Sequence, residues 1–291
     1  MTDLPDQLLQ ERRRSIRLRR SSLLKAKLDD IDRPNIKIAE TRDELSQSFA
    51  LVYREYLASG YIKTPSPAEM HFSVYNFLPA TCVFIYRSYL TVISTLTQIF
   101  DSELFGLPMD SLYRAQLDEL RAQGRRISEL SALATPREVR WCNLMVFLCR
   151  MTFEYSRMKK IDDICIMVNP KHVSFYKTLF LFEEFGPERF YGAVGAPAVA
   201  LRINMDSIQE KSLEKYRDFE VDGNVHDFFC KINSTMQELQ SGWSFYEKRH
   251  PMHPEDARFF LESKKDILEK LNPQQREYLA NLYPFLAPTR A

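Results

Sequence analysis

Residues 106–134, GLPMDSLYRAQLDELRAQGRRISELSALA, are the stretch from which we predict the fold of this chain. Gly106 and Pro108 indicate a turn that leads into a helical repeat of leucines, and Gly124 ends that helix. The residues that follow, 125–134, are predicted to form a strand. We extend the prediction in both directions from this order of turn, helix and strand.

Glu129 is the candidate functional residue of that strand. Its neighbours of the same parity are apolar or small, namely Ile127, Ser131 and Leu133. A carboxylate on an apolar strand face costs free energy unless a partner or a task compensates for it. We therefore predict a functional role for Glu129. The alternative is that one of the preceding arginines, or another buried cation, satisfies its charge.

Composition limits the classes of function. The chain has 291 residues, enough for one sizeable core or for a core with an appendage. Its formal net charge of +1 selects neither nucleic acid nor membrane, and we expect no nucleic-acid partner. It has only 8 glycines and no glycine-rich nucleotide-binding motif, which argues against a nucleotide loop.

Cysteine usage and hydropathy indicate the compartment. The 5 cysteines are scattered without CxxC spacing, which is typical of buried thiols in a reducing environment. The chain begins with no apolar signal region, and no stretch is long and apolar enough to span a bilayer. We therefore expect a cytoplasmic protein. His250 and His253 have no further ligands nearby, so we predict no metal site there.

The chain divides into three predicted regions. Residues 1–35 form a basic arm, helical or disordered, that is either solvated or contacts an acidic partner or an anionic membrane surface. Residues 36–206 form the main domain. Residues 207–291 form a helical C-terminal extension, with helices predicted at 225–240 and 255–270.

The main domain is predicted to be α/β. Its pattern runs strand, helix, strands, helix, strand, helix, strand, helix, strand, which indicates a mixed sheet with helices on its faces. Thr41 and Glu44 form a capping-box signature at the start of the first helix. A helix is predicted at about 137–159, and the apolar run 164–168 is predicted to form the strand after it.

Three segments carry a resemblance to a known family: 104–110 (LFGLPMD), 124–134 (GRRISELSALA) and 169–176 (NPKHVSFY). They resemble the FeeM-like bacterial long-chain N-acyl amino acid synthases, which are relatives of the acyl-homoserine lactone synthases. The resemblance covers about 36–205, and 124–134 is its specific part. It implies the GNAT (acyl-CoA N-acyltransferase) fold, in which helices flank a mixed central sheet.

The resemblance also implies a reaction. In such folds two parallel strands splay apart, here the strand of Glu129 and the strand 164–168, and the gap binds the pantetheine arm of an acyl donor. An amine attacks the thioester directly, while the enzyme holds both substrates, accepts a proton and stabilises the oxyanion with a backbone N–H. No metal is implied, and no cofactor apart from the phosphopantetheine thioester of the donor itself.

Two residues receive catalytic roles from this resemblance. Glu129 is implied to be the general base or the group that positions the acceptor. Tyr176 is implied to protonate the leaving thiolate, and packing is the alternative for it. His172 opens a predicted helix, and we assign it a structural role.

The predicted donor is a thioester of acyl carrier protein. Acetyl-CoA-binding relatives hold the pyrophosphate in a glycine-rich loop after the strand of Glu129, but the corresponding residues 132–138 contain no glycine. Carrier proteins are acidic, so basic side chains here have a plausible partner. The predicted donor-binding residues are Arg125, Arg126, Ala132, Leu133, Ala134, Arg137 and Arg140.

The resemblance to the FeeM-like branch implies an amino acid as the acceptor. Ala132 stands where the homoserine lactone branch has an arginine, which argues against the S-adenosylmethionine acceptor of that branch. The predicted function is therefore transfer of a long-chain acyl group from acyl carrier protein to the amine of an amino acid, in lipid biosynthesis. Two alternatives stay open. One is an acetyl-CoA-dependent N-acetyltransferase of a small amine, and the other is a non-catalytic acetyltransferase-like module that binds a partner.

Overall fold

Seven strands form one mixed sheet at the centre of the protein. The computed structural model describes residues 34–142, 144–217, 226 and 252–287. The strands are β1 (Pro34–Ile38), β2 (Cys82–Ser88), β3 (Thr91–Phe100), β4 (Ile127–Ala134), β5 (Asp163–Val168), β6 (Glu183–Tyr191) and β7 (Ala196–Asn204). Their order is β1-β2-β3-β4-β5-β7-β6, and β4 and β5 are the one parallel pair among the described strands. The predicted α/β class with a mixed sheet is confirmed.

The helices are α1 (Arg42–Ala58), α2 (Asp110–Ala122), α3 (Leu144–Met158), α4 (Pro170–Leu179), α5 (Ile208–Tyr216), α6 (Pro254–Ser263), α7 (Asp266–Glu269) and α8 (Pro273–Leu282). Short 3-10 helices lie at Val74–Phe77, Arg137–Cys142 and Pro284–Leu286. The predicted capping box of α1 is confirmed. The Glu44 N–H donates to Thr41 Oγ1 at 3.3 Å, and the Thr41 N–H donates to Glu44 Oε2 at 3.3 Å.

Two predicted helices differ from the observed ones. The helix predicted at 137–159 begins as a 3-10 helix, and its α-helical part starts only at Leu144. The helix predicted at 255–270 is broken at Lys264, which has φ −146° and ψ 71°, so α6 and α7 are separate. Apart from residue 226, the helix predicted at 225–240 lies outside the described residues.

Helices cover both faces of the sheet. Along β2, Cys82 and Phe84 pack into the core formed with α3, whereas Val83 and Ile85 pack into the core formed with α1. Side chains alternate between the faces of a strand, so α1 and α3 lie on opposite sides of the sheet. α4 joins α3 on its face, and α2 lies on the face opposite α3.

β4 and β5 pair over only four residues and then separate. Their register runs from Ile127 opposite Asp163 to Leu130 opposite Ile166. Beyond that point the remaining residues of β4, 131–134, still pair with β3 but have no partner in β5. The sheet therefore has a gap between the carboxyl ends of its two parallel strands.

A bulge lies at the same place in β4. The register between β3 and β4 shifts there by one residue, and Ala132 has φ +52°, in the left-handed region. Side chains change face after the bulge, so Leu133 packs against the core beneath α3 and not beside Glu129. The alternation expected from the sequence, with Leu133 on the face of Glu129, is therefore wrong.

The C-terminal helices pack onto α1 and the loop that follows it. Phe260 and Tyr283 are fully buried and belong to the same core cluster as Phe49 and Phe72. No helix in the described parts of the chain is long and apolar enough to cross a membrane. The predicted contacts of the basic arm fall in residues 1–33, which lie outside the described ranges.

Candidate active site

A cavity of about 1150 Å³ opens where β4 and β5 separate. Its walls come from both faces of the sheet, so the cavity passes through the sheet at the gap. We name its two halves by their side chains. The first half is called the aliphatic lobe after Leu144 and Ile166, and it is also lined by Cys149, Phe153, Tyr176 and Phe182. The tyrosine lobe is lined by Tyr56, Tyr61, His71 and Tyr191.

The tyrosine lobe is assembled from segments far apart in the chain. Tyr56 is in the last turn of α1, Tyr61 and His71 are in the loop after α1, and Tyr191 ends β6. The ring centroid of Tyr56 lies 5.6 Å from that of Tyr61 and 4.9 Å from that of His71. The His71 N–H donates to the carbonyl oxygen of Phe49 at 3.0 Å, which fixes the loop to α1.

Glu129 lines the cavity just before β4 and β5 part. It is only 1% exposed, and its Oε2 accepts a hydrogen bond from the Met109 N–H at 2.9 Å. Within the described residues, Oε1 accepts no hydrogen bond and no cation pairs with the carboxylate. Burial raises the pKa of Glu129 to about 8, against the opposing hydrogen bond from Met109 and with help from the charge of Asp110. The carboxyl is thus poised to lose or gain a proton near neutral pH.

A cluster of charged residues holds the segment that presents the Met109 N–H. Arg121 bonds Asp101 at 2.7 and 2.8 Å and Asp110 at 2.7 Å through both ends of its guanidinium. Asp110 also accepts the Leu107 N–H at 2.7 Å. Burial alone would raise the pKa of Asp110, but the hydrogen bonds from Arg121 and Leu107 outweigh it and lower that pKa. Asp110 therefore remains an anion that anchors the loop.

Three tyrosines are electrostatically coupled to Glu129. Burial raises the pKa of Tyr56, Tyr75 and Tyr191, and the charge of Glu129 raises each further. A backbone hydrogen bond from Ala132 has the opposite effect on Tyr56. None of these tyrosines was predicted as a site residue. Tyr56, near the end of the first helix, had a local signal in the sequence. Tyr191 had none, because only the order of the strands in the sheet brings the end of β6 to the cavity.

Tyr176 lies in the aliphatic lobe, on α4. Its ring centroid is 5.8 Å from that of Phe182 and 6.0 Å from that of Phe180, so it contributes to packing. Burial raises the pKa of its phenol, which keeps the hydroxyl protonated at neutral pH. The side chain therefore packs in this lobe and presents a neutral hydroxyl.

The predicted donor-binding residues fall into two groups. Ala132, Leu133, Ala134 and Arg137 line the cavity at the gap, and Arg140 lies in the 3-10 helix that begins at Arg137. Arg137 is exposed at the cavity mouth, and so are Lys171 and His172 in the first turn of α4. This group therefore borders the gap between β4 and β5.

Arg125 and Arg126 form the second group and lie elsewhere. They precede β4, at the end opposite the gap, and do not line the cavity. Arg125 pairs with the buried Asp163, and the Arg126 N–H donates to Asp162 at 2.7 Å. The alternative in which either arginine neutralises Glu129 is therefore wrong. Their partners hold the start of β4 against β5, and we take their donor-binding assignment no further.

No group of three or more His, Cys, Asp or Glu residues within the described ranges could hold a metal ion. His250 lies outside those ranges, and His253 is the N-cap residue of α6.

Comparison with known proteins gives one family and several related folds. The family model for "N-acyl amino acid synthase FeeM" matches residues 47–204, which is more than half of the chain. The solved structure of FeeM, an N-acyl amino acid synthase from uncultured soil microbes, is 26% identical with a TM-score of 0.56. That match covers 64% of this chain and 99% of the FeeM chain. No protein of curated function matches the chain.

Other solved structures resemble the chain more weakly. BjaI, a CoA-dependent acyl-homoserine lactone synthase, is 14% identical with a TM-score of 0.47, over 61% of this chain and 89% of its own. An N-acetyltransferase from Staphylococcus aureus Mu50 is 13% identical with a TM-score of 0.42, over 60% of this chain and 98% of its own. The sheet and its flanking helices are those of the GNAT fold, as the sequence resemblance implied.

Proposed function

Because the chain belongs to the FeeM family of N-acyl amino acid synthases, we propose that it transfers a long-chain acyl group from acyl carrier protein to the amine of an amino acid. Family membership makes it an acyltransferase. The carrier-protein donor, the long acyl chain and the amino acid acceptor are the parts that we add.

One observation carries the proposal. The cavity passes through the sheet at the gap between β4 and β5, and Glu129 stands where its two lobes meet. Backbone groups of Ser131 and Leu133, beyond the last residue of β4 that pairs with β5, border the gap and can bond the amides of a pantetheine arm as an added strand would. A thioester held there has the aliphatic lobe on one side and the tyrosine lobe on the other.

The reaction follows from this arrangement. The amine nitrogen attacks the thioester carbonyl carbon, and a backbone N–H near Ala132 stabilises the oxyanion. Glu129, as carboxylate, takes the proton that the nitrogen loses when the C–N bond forms. The C–S bond then breaks, and the Tyr176 hydroxyl gives its proton to the thiolate, which leaves as the thiol of the pantetheine arm. Glu129 releases its proton to solvent and Tyr176 takes one up, which restores both groups. Proximity of the two bound substrates supplies much of the acceleration.

The aliphatic lobe supports a long acyl chain. Leu144, Cys149 and Phe153 face it from successive turns of α3, over a helix length of roughly 13 Å. Cys149 and Phe153 are buried, and burial raises the pKa of the Cys149 thiol to about 12, so that it remains neutral. A lobe of this depth with neutral, apolar walls favours a hydrocarbon tail over an acetyl group.

The mouth of the cavity supports acyl carrier protein as the donor. Residues 132–138, which run from the end of β4 into the 3-10 helix that follows, contain no glycine, so they lack the loop that cradles a pyrophosphate in CoA-dependent relatives. Arg137 and Lys171 are nonetheless exposed beside the opening. Two cations can bind one phosphodiester and the acidic surface of a carrier protein.

The test is acyl transfer with defined donors. Purified enzyme is mixed with dodecanoyl-acyl carrier protein or dodecanoyl-CoA and the standard L-amino acids, and N-dodecanoyl products are quantified by mass spectrometry. We expect product with at least one amino acid and a higher kcat/KM for the carrier-protein donor. Equal or better kinetics with dodecanoyl-CoA would contradict the donor assignment, and absence of any N-acyl product would contradict the function.

A matched pair of variants tests the role of the carboxyl. Glu129→Gln should lower kcat by about 100-fold or more, the usual scale for a positioned acid–base group. Glu119→Gln, on the exposed side of α2, is the control and should leave turnover unchanged. Wild-type turnover in Glu129→Gln would exclude Glu129 as the base.

A further inference from the structure

The C-terminal helices bond the two loops that carry much of the tyrosine lobe and the hydrogen-bond donor to Glu129. These helices lie within 252–287, outside the part of the chain that the FeeM family model matches. Three of their side chains donate to backbone carbonyl oxygens of those loops: Lys264 Nζ to Phe72 at 2.9 Å, Tyr283 Oη to Phe77 at 2.9 Å and Gln275 Nε2 to Leu104 at 3.0 Å.

Aromatic packing reinforces these bonds. The ring of Phe260, on α6, lies 5.2 Å from that of Phe49 on α1 and 5.5 Å from that of Phe72 in the loop. The ring of Tyr278, on α8, lies 5.7 Å from that of Phe105. The loop after α1 is thus held between α1 and the C-terminal helices, and the loop before α2 is fixed by α8.

The contact of Lys264 reaches the cavity through His71. His71 is the residue before Phe72, its imidazole lines the tyrosine lobe, and its ring is 4.9 Å from that of Tyr56. Burial, together with the smaller effect of the nearby positive charge of Lys264, lowers the pKa of His71 to about 4. A neutral, immobilised imidazole therefore faces the lobe at working pH.

We propose that residues 252–287 are a specificity element for the acceptor: they fix His71 and the loop of Met109, and so shape the tyrosine lobe for the amine substrate. This inference rests on the proposed acyl transfer and deepens it, because it assigns the acceptor to the tyrosine lobe. The donor should be indifferent to the element, since the aliphatic lobe is built by α3 and α4 with the other face of the sheet. Lys264 acts here as a positioning residue.

The first test separates acceptor from donor kinetics in full-length protein. Lys264→Met keeps the aliphatic stem but removes the ammonium, and Lys265→Met, at an exposed neighbouring position, is the matched control. Loss of one such hydrogen bond should raise the KM for the amino acid about five- to tenfold and leave the KM for dodecanoyl-acyl carrier protein within about twofold. An unchanged acceptor KM, or an equal rise in both constants, overturns the proposal.

A second pair covers the case in which Lys264→Met fails to fold. Tyr283→Phe removes the hydroxyl that bonds Phe77, whereas Tyr89→Phe removes the hydroxyl of an exposed ring outside the C-terminal helices and serves as the control. Tyr283→Phe should again raise the acceptor KM selectively, by about fivefold. An unchanged acceptor KM in Tyr283→Phe, or the same rise in the Tyr89→Phe control, would overturn the proposal.

A third measurement is independent of turnover. The pKa of His71 is followed by NMR in wild type and in Lys264→Met, with His71→Gln to assign the signal. Removal of the ammonium should raise the pKa of His71, because one of the charges that lower it is gone. If wild type makes no N-acyl product, the proposed function fails while this titration still reports on the coupling. An unchanged titration overturns the coupling even if the enzyme is active.

Discussion

Glu129 is a carboxyl with a single hydrogen-bond donor and no countercharge among the described residues. Its environment favours the neutral carboxyl in the free protein, because the desolvation cost of a buried charge exceeds the stabilisation of the carboxylate by one backbone N–H. The catalytic base of the proposed reaction is therefore available mainly above pH 8. Bound amine, which carries positive charge before it is deprotonated, would favour the carboxylate and bring that pH down.

The raised pKa of Glu129 should make the unfolding free energy of the protein depend on pH. The pKa of Glu129 is raised from its ordinary 4.5 to about 8 in the folded state, so folding favours the bound proton. Below pH 4.5 both the folded and the unfolded protein hold this proton, and stability does not depend on it. Between pH 4.5 and 8 the unfolded state loses the proton while the folded state keeps it, so the unfolding free energy falls. The fall levels off above pH 8. Relative to Glu129→Gln, wild type should lose roughly 3–5 kcal/mol of unfolding free energy between pH 4.5 and 8.

Urea unfolding of both proteins across that range measures the effect, and all other titrating groups cancel in the difference. Two parallel curves of stability against pH would mean that Glu129 titrates normally in the folded protein. The mechanism would then need a different reason for its placement in the cavity.

At the scale of elements, the loop before α2 is a positioning device. Arg121 is 26% exposed at its side chain and holds Asp101, Asp110 and Asp118 together. Arg121→Met should lower the unfolding free energy by roughly 1–3 kcal/mol, because carboxylates that are largely buried lose their countercharge. The pH at which activity rises should also move upward, because a loosened Met109 N–H no longer stabilises the Glu129 carboxylate.

The pH–rate profile separates this positioning role from simple destabilisation. Arg114→Met is the control, since Arg114 lies on the same helix, is 78% exposed and reaches Asp118 only at 3.8 Å. It should change neither stability nor profile. A destabilised Arg121→Met with an unshifted profile would show that the cluster supports the fold but not the carboxyl.

The bulge of β4 gives a second prediction at this scale. Ala132 has φ +52°, a conformation that glycine adopts freely and that a β-branched residue strongly resists. Ala132→Gly should keep the KM for the donor near wild type, whereas Ala132→Val should raise it about tenfold or more because the strand edge must deform. Steady-state kinetics with the carrier-protein thioester measure both. Equal donor constants for the two variants would mean that the gap does not need the bulge.

Local signals explain what the sequence could predict. The capping box of α1 and the burial of Glu129 follow from a few adjacent residues, and both are present. The bulge has no such signal, since Ala132 is an unusual residue for a positive φ, and it reversed the expected face of Leu133. The partner of Glu129 is a backbone N–H that lies 20 residues away in the chain, which side-chain patterns do not reveal.

The position of Arg125 and Arg126 away from the cavity has a geometric cause. A strand rises about 3.3 Å per residue, so Ile127, the first residue of β4, lies about 16 Å from Ala132, and Arg125 precedes it. Arg125 precedes Glu129 closely in sequence and Ala132 follows it closely, but the two lie toward opposite ends of the strand. Adjacency to a catalytic candidate within a strand is therefore weak evidence for a shared site.

At the scale of the whole molecule, a net charge of +1 means that attraction for an acidic carrier protein must come from local charge. Arg137→Glu or Lys171→Glu should raise the KM for dodecanoyl-acyl carrier protein, and the effect should shrink with added salt, because exposed charges are screened over about 8–10 Å. Dodecanoyl-pantetheine, without phosphate or protein, should be unaffected. Arg114→Glu, on the exposed surface of α2, is the control.

If the effect of Arg137→Glu and Lys171→Glu on the KM for dodecanoyl-acyl carrier protein does not depend on salt, the docking surface lies elsewhere. The basic arm is the next candidate, and removal of residues 1–30 should then slow encounter with the carrier protein at low salt. If the arm also has no effect, charge does not guide the donor to this enzyme.

The gap between β4 and β5 has a consequence for hydrogen–deuterium exchange. In the free protein, amides of residues 131–134 that are not bonded to β3 face the cavity instead of a neighbouring strand, so they should exchange quickly although they lie in the middle of a sheet. A bound pantetheine arm would occupy the place of the missing strand and slow that exchange. The donor would then complete the sheet, and its arrival could be followed amide by amide without any chemical step.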